Sequence, residues 1–536
     1  MTGYFNNPIL PGFHPDPSIC RVGEDYYMAT SSFAYFPGIP LFHSRDLVHW
    51  EQIGHVIHRR EQLDFDNCQM ALGLWAPTLR FHQGRFYLIN TFVSEGLHEK
   101  RMNYIVTAEN PAGPWSDPVV VEGADGIDPS LYFGEDGKMW YIGNFICQPE
   151  QYDGHHGIYL QQIDPETFQF CSERYVLWDG IQTQGKWLEA PHIYHHGDWY
   201  YLMVAEGGTF TNHCVMMARS REITGPYEIC QRNPIVTHRH MPLMSEISVV
   251  GHADLVETTR GEWWMVLLGV RPYEGFHYNL GRETFLVPVT WDTEDEWLKI
   301  DNANGQVNSR ERKPELEETV YPVRESFTGF EGGRLGLQWN SVHPLPEGAY
   351  SLTRRSSFLS LRLRSERLET VSTPSFIGRR QEHKEFQVQT AMEFEPQSED
   401  QEAGLALLQD EGYNYQFLIG SENGAKCLRL YQVEQGEKML LKSCVLPEQG
   451  RWYMTIRGQA EYYNFYISSE EGSQELFYEK APAAVLSTRY RDGFTGVYIG
   501  MYAVAATDSD NYAEYDWFQY TPCLLYTSDA ADDLIG

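Results

Sequence analysis

Long apolar runs are missing from these 536 residues: no stretch of about 18 apolar residues occurs, so no helix is expected to span a membrane. Sustained helical periodicity is missing as well, which counts against an α/β barrel. Cysteine is sparse, nine residues with no CxxC pair and no metal-finger spacing. That excludes a zinc finger or disulfide framework and reads as free thiols in a reducing compartment. Basic residues are few: 41 Lys and Arg against 74 Asp and Glu give a formal net charge of −33. Nucleic acid and anionic membrane would be repelled by that field, so neither is expected as a partner, whereas a neutral ligand is unaffected. The start, from Met1 to Pro8, has no basic segment followed by an apolar run. No export signal is read there, and the cytoplasm is the expected location.

What the chain does have is aromatic side chains and a repeat. Trp, Tyr and Phe make up 14% of a composition that is 42% hydrophobic. This suits β-structure, where aromatic and β-branched residues fit the pleated surface. It also suits sugar binding, because the C–H faces of a pyranose pack on aromatic rings. A short phrase recurs five times: Asp16-Pro17-Ser18-Ile19, Ala76-Pro77-Thr78-Leu79, Asp128-Pro129-Ser130-Leu131, Ala190-Pro191-His192-Ile193 and His252-Ala253-Asp254-Leu255. An aromatic pair follows each after a turn: Tyr26-Tyr27, Phe86-Tyr87, Trp140-Tyr141, Trp199-Tyr200 and Trp263-Trp264. The period is roughly 50–60 residues, the range of propeller blades and solenoid units.

Each unit reads as strand, Gly turn, strand, then further strands. Five units of about four strands predict an all-β chain opening with a five-bladed β-propeller over residues 1–305. A polar linker is expected over 306–324. From 325 to 522, alternating segments such as Leu359-Ser360-Leu361-Arg362-Leu363-Arg364 predict an antiparallel β-sandwich. Residues 523–536 read as a non-native tail.

Equivalent repeats should bring their opening residues to one axis. Asp16, Asp128 and His252 stand at such heads, and Glu189 stands one residue before the fourth. A lone Asp-Pro is ordinarily a turn, and a lone Glu a solvated strand end. Three acids gathered on an axis are different, because like charges repel at a cost in stability. Cleaving a glycosidic bond needs one carboxylic acid to protonate the departing oxygen and a carboxylate on the other face. Where the carboxylate activates water, the two groups stand roughly 6.5–9.5 Å apart and the anomer is inverted. Asp16 and Glu189, on the first and fourth units, suit that pair, with nearby negative charge keeping Glu189 protonated near neutral pH. His252 is either a hydrogen-bonded channel histidine or a ligand of an axial metal ion. Arg282 either steers the carboxylates or a sugar hydroxyl, or pairs with its neighbour Glu283. Trp75 and Phe33 are either an apolar pocket wall or ordinary packing.

The phrases His14-Pro15-Asp16-Pro17-Ser18, Gly126-Ile127-Asp128-Pro129-Ser130, Trp187-Leu188-Glu189-Ala190-Pro191, Gly251-His252-Ala253-Asp254 and Leu280-Gly281-Arg282-Glu283-Thr284 resemble, in order, those of glycoside hydrolase family 43 in its two-domain β-xylosidase branch. The resemblance implies Asp16 as general base, Glu189 as general acid and Asp128 as the residue that tunes and orients the acid. It implies Arg282 in the active site and, in metal-using members, His252 linked to calcium; no organic cofactor is implied. The second domain resembles the concanavalin-like sandwich of that branch, in which a loop brings an aromatic residue over the active-site mouth. Phe494, in Gly493-Phe494-Thr495-Gly496, matches it. The activity so implied is inverting, exo-acting release of xylose from β-1,4-xylo-oligosaccharides, in a protein expected to form homo-oligomers. An α-L-arabinofuranosidase or bifunctional enzyme is the near alternative, and a non-catalytic sugar-binding propeller is the alternative from another class.

Overall fold

Short runs of Val, Ile, Tyr and Phe bounded by Gly and Asp turns bury their apolar faces best by pairing with the next run along the chain. A computed structural model describes residues 3–94, 100–319, 321, 326–448, 450–488 and 493–523. In its first part, five antiparallel sheets follow one another. Their first strands are Ser18–Val22, Gly73–His82, Ser130–Phe133, Glu189–His196 and Ser248–Glu257, and each sheet adds three later strands, the fourth sheet a further short one. Ser18–Val22 packs against both Gly73–His82 and Ser248–Glu257, and Ser130–Phe133 against Gly73–His82 and Glu189–His196. Contacts between the fourth and fifth sheets complete a closed ring with the first strands innermost.

Successive side chains of a strand point to opposite faces, so residues two apart share a direction. Two places beyond each repeat head stand Ser18, Thr78, Ser130, His192 and Asp254, all buried. Asp254, with no exposed surface, joins the sheets. It accepts hydrogen bonds from Ser18 Oγ at 2.7 Å, Ile19 N at 3.0 Å and Tyr194 OH at 2.6 Å. Leu255 N donates at 2.9 Å and Arg80 through Nη1 at 2.8 Å and Nη2 at 3.2 Å, and Nη2 also meets His192 Nδ1 at 2.9 Å. Burial pushes the His192 imidazole down to about 3, leaving it a neutral acceptor. A buried carboxylate is tolerated here because it is both paired and hydrogen-bonded.

The stretch expected as a linker at 306–324 differs in part. Arg310–Arg312 pairs with the N-terminal strand Tyr4–Asn6, and Val307 packs into the core of the fifth sheet. The physical reason is a polar inward face: buried Glu311 receives Asn302 and Asn308 side-chain amides at 2.6 and 2.7 Å. Hydrophobic alternation therefore gave no sign of a strand. Positions 320 and 322–324, the expected domain start at 325, and the tail beyond Cys523 lie outside the described residues.

The second part is two sheets packed face to face. One contains Glu385–Glu393, Arg451–Gln459 and Tyr512–Pro522 at its centre; the other has the order Ser375–Arg380, Tyr498–Val504, Glu402–Asp410, Tyr413–Glu422, Ala425–Glu434, Glu437–Val445. Phe386, Val388 and Met454 from the first meet Leu405, Phe417 and Ile499 from the second in one core. Among the described residues there is no α-helix, only three single 3₁₀ turns, and no helix long and apolar enough to cross a membrane.

The two parts are not strung loosely together. Ser341–Val342 pairs with Tyr35–Phe36, Arg380 Nε donates to Phe13 O at 2.6 Å, and Tyr35 stacks on Tyr498 with centroids 3.6 Å apart. Phe13, Phe33 and Tyr35 share a hydrophobic cluster with Phe376, Leu408 and Tyr502.

Candidate active site

At the mouth of the ring the chain leaves regular β-geometry. Asp16, Asp128, Ala190 and His252, four of the five repeat heads, take positive φ of 55°, 51°, 49° and 49°. Left-handed backbone at non-glycine residues costs roughly 1–3 kcal/mol each and persists where the surroundings impose it. Strand pairing is irregular beside two of these heads, between Glu189 and His192 and between Gly251 and Ala253. Such bulges re-aim side chains. Here they stand beside Glu189 and His252, whose side chains line the channel mouth.

The result is a pit of about 220 Å³. All eight residues singled out from the sequence line it: Asp16, Phe33, Trp75, Asp128, Glu189, His252, Arg282 and Phe494. Asp16 is the best-held carboxylate. Arg282 Nη1 donates to its Oδ1 at 2.7 Å, the Ser31 hydroxyl donates to Oδ2, and His252 Nδ1 lies 3.7 Å from Oδ1. Of the two roles open to Arg282, the structure shows contact with Asp16; Glu283 is taken instead by Arg271 through bonds of 2.7 and 2.8 Å. Nε and Nη2 of buried Arg282 have no hydrogen-bond partner among the described residues. Leaving buried donors unmade is costly, so this is a place for ligand oxygens.

Three carboxyls share the pit with one guanidinium, and their protonation divides accordingly. Burial first, and then the Asp16 charge, raise the Glu189 carboxyl to about 7, with Arg282 pulling the other way. Asp128 is pushed well above the carboxylate range by burial and by the Glu189 and Asp16 charges. It is reached by the backbone N–H of Ala190, the residue after Glu189. Below about neutral pH Glu189 therefore keeps its proton, beside the Asp16 carboxyl that Arg282 holds. That is the division a general acid and a general base require.

His252 is kept below its ordinary value chiefly by burial, against the pull of Asp16, and is a neutral imidazole. Among the described residues no group of three or more His, Cys, Asp or Glu side chains is placed to hold a metal ion. Calcium takes 6–8 oxygen ligands, so these residues fit it only as an ion that keeps most of its water, with His252 as a single protein ligand.

The far wall comes from the second part. Phe494 stacks on Phe33 with centroids 6.0 Å apart and planes at 15°, and it lies 6.0 Å from Trp75. Trp75 and Phe33 are thus pocket wall as well as packing. The Arg282 guanidinium sits 5.6 and 5.7 Å from the Phe33 and Phe494 rings, within cation–π range. Val497 N donates to Asn279 O at 2.8 Å, three residues before Arg282. A Cβ on Gly496 would fall 2.7 Å from Leu280 O, so the backbones touch where any other residue would hold them apart.

Sequence reasoning missed Trp187 and Phe210, which line the same pit beside Glu189. Neither occupies a repeat head, so the repeat gave them no weight. Ser31, two residues before Phe33, was missed as well. Its signal was weaker still.

An aromatic-walled pit with a paired carboxylate and a protonated one is the equipment of an enzyme that cleaves sugars. Residues 5–298 match the model of glycosyl hydrolases family 43, and residues 328–521 that of the beta xylosidase C-terminal concanavalin A-like domain. A xylosidase/arabinosidase of Butyrivibrio fibrisolvens is 37% identical, the match covering 96% of this chain and 98% of that protein. A non-reducing end alpha-L-arabinofuranosidase of Bacteroides ovatus is 39% identical over 97% and 95%. The crystal structure of a xylan beta-1,4-xylosidase from Bacillus halodurans superposes with a TM-score of 0.91 at 34% identity, covering 96% of this chain and 99% of that one. The chain belongs to glycosyl hydrolase family 43, and its two parts are a family 43 domain and a concanavalin A-like domain.

Proposed function

We propose that this glycoside hydrolase releases xylose from the non-reducing end of β-1,4-xylo-oligosaccharides with inversion, and that its five sheets are the blades of one five-bladed β-propeller. The ring closure and the polar hub around Asp254 support the propeller. The activity rests above all on the protonated Glu189 sharing a walled pit with Asp16. In the reaction Glu189 gives its proton to the departing glycosidic oxygen. Asp16, positioned by Arg282 and Ser31, takes a proton from the water that attacks the anomeric carbon from the opposite side. Asp128 fixes the backbone beside the acid. A pit of about 220 Å³ is smaller than the roughly 300–1,000 Å³ of sites for drug-sized ligands. With Phe494 closing one side, it supports exo-action on a chain end. Were a calcium ion bound, His252 would be its ligand from the protein and the ion would supply positive charge to the site.

The activities for which the Butyrivibrio and Bacteroides relatives are named favour a second reading, cleavage of α-L-arabinofuranosides. Nitrophenyl β-xyloside, whose aglycone contributes no second xylose, is expected to yield α-xylose as the first-formed anomer, seen by NMR. Nitrophenyl β-xyloside is expected to exceed nitrophenyl α-arabinofuranoside in kcat/KM. The opposite order assigns the arabinofuranosidase, and first-formed β-xylose defeats inversion.

The pH profile carries its own sign. Glu189 must be protonated to act, and its raised value extends the protonated form upward. Thus kcat/KM for xylobiose should hold through mildly acidic pH and fall as pH rises through about 7. An alkaline limb already complete at ordinary carboxylate values would remove Glu189 from the acid's role.

A further inference from the structure

Two places before Glu189 the chain makes an expensive arrangement that the chemistry above does not use. Trp187 is a half-buried tryptophan at φ 54°, a left-handed backbone that a bulky residue adopts only under constraint. Its N–H donates to Gly154 O at 2.8 Å, in the loop between the second and third strands of the third sheet. Its ring fits a slot cut by two glycines. A Cβ on Gly154 would lie 2.9 Å from the indole Nε1, and one on Gly208 would lie 2.9 Å from Cε3. Both glycines also have positive φ, 75° and 63°. Gly208 opens the turn that carries Phe210, which is 41% exposed and lines the same pit.

Simple core packing does not explain this arrangement. A core tryptophan needs no strained backbone, no two-glycine slot and no face toward an open pit. The side on which it stands is informative. Asp16 contacts Arg282 and His252, and Phe33 stacks on Phe494, whereas Trp187 stands two residues from the acid that protonates the departing oxygen and meets the Gly208 turn that carries Phe210. What lies against them in the reaction is the part of the substrate that leaves.

We propose that Trp187, with Phe210 beside it, is the platform for the leaving sugar and determines preference for an oligosaccharide over a xyloside with a small leaving group. The proposal rests on the xylosidase reading above. The apolar face of the leaving pyranose packs on the indole, whose position is set by Gly154 and Gly208 before substrate arrives. Binding energy from this platform then acts on substrates that carry a sugar there and on no others.

The test compares two substrates that both need protonation by Glu189: xylobiose, which fills the platform, and methyl β-xyloside, which leaves it empty. Trp187→Ala should lower kcat/KM for xylobiose about tenfold or more, mainly through KM, the scale of one lost ring contact with its buried area. Methyl β-xyloside should stay within about threefold, the alkaline pH limb should not move, and Trp187→Phe should recover much of the loss. Phe210→Ala should show the same asymmetry at smaller size, and it keeps the proposal testable if Trp187→Ala does not fold. Equal loss on both substrates would mean that Trp187 acts through Glu189 and would overturn the proposal. No loss on either would do the same. A wild-type protein that cleaves neither substrate would defeat the xylosidase reading instead.

Discussion

Replacing Glu189 by Ala is expected to cut xylose release from xylobiose roughly 10²–10⁴-fold or more, the usual worth of a positioned proton donor. Asp16→Ala should do at least as much harm, and the two variants should fail differently. Without Glu189 the departing oxygen leaves unprotonated, which is ruinous for a sugar alkoxide and tolerable for nitrophenolate. Glu189→Ala should therefore keep far more of its activity on nitrophenyl β-xyloside than on xylobiose. Asp16→Ala loses the group that deprotonates water, which both substrates need, so both rates should collapse together. The distinction follows from position. Asp16 is tied to Arg282 and Ser31 and serves as the anion, while burial and the Asp16 charge keep the proton on Glu189. Steady-state kinetics on the two substrates, with a thermal melt to confirm folding, decides the matter. Wild-type-like turnover by either variant, or the two patterns exchanged, would refute the roles.

The second large effect is on stability. Arg80→Met should destabilise the first domain by about 3–5 kcal/mol, because it leaves the Asp254 carboxylate buried without its charge partner. Arg80→Met combined with Asp254→Leu should regain most of that loss, since an apolar pair of similar volume avoids desolvating either charge. Denaturant unfolding followed by tryptophan fluorescence measures both. The wild-type protein has a matching pH signature. The Asp254 carboxyl is held well below the ordinary carboxylate range by Arg80 and its hydrogen bonds, in spite of its burial. A depressed value in the folded state means stability that is present above the unfolded value and lost as pH falls below it. The Arg80→Met protein should lack that acid-labile component. A cost under about 1 kcal/mol would show the hub to be ornamental rather than structural.

How much was readable beforehand depended on repetition. Five copies of one phrase made Asp16, Asp128 and His252 equivalent, and equivalence placed them in one pit without knowledge of any contact. The same logic reached further than it was taken. Ser18, Thr78, Ser130, His192 and Asp254 occupy one position of that phrase, and all five are polar. A polar tier behind the tier of repeat heads was therefore visible, though Arg80, two residues beyond Thr78, gave no such sign. Trp187 was out of reach for a different reason. Its meaning lies in a backbone angle and in glycines 33 positions before and 21 after it, and neither is a local sequence signal. Phe494 was legible only through resemblance, because nothing in Gly493-Phe494-Thr495-Gly496 says which distant surface the ring will meet. The strand Arg310–Arg312 escaped because its inward residue is a glutamate.

The seam where Gly281 abuts Gly496 has a consequence for ancestry and for engineering. With no side chain on either strand of the seam to absorb an error, a transplanted sandwich would ride up by the width of a methyl group and lift Phe494 from Phe33. The two halves are thus fitted like a stopper to one particular bottle. Chimaeras that exchange one half alone should leak solvent into the pit, so substitutions on the two sides of the seam are expected to come in matched pairs.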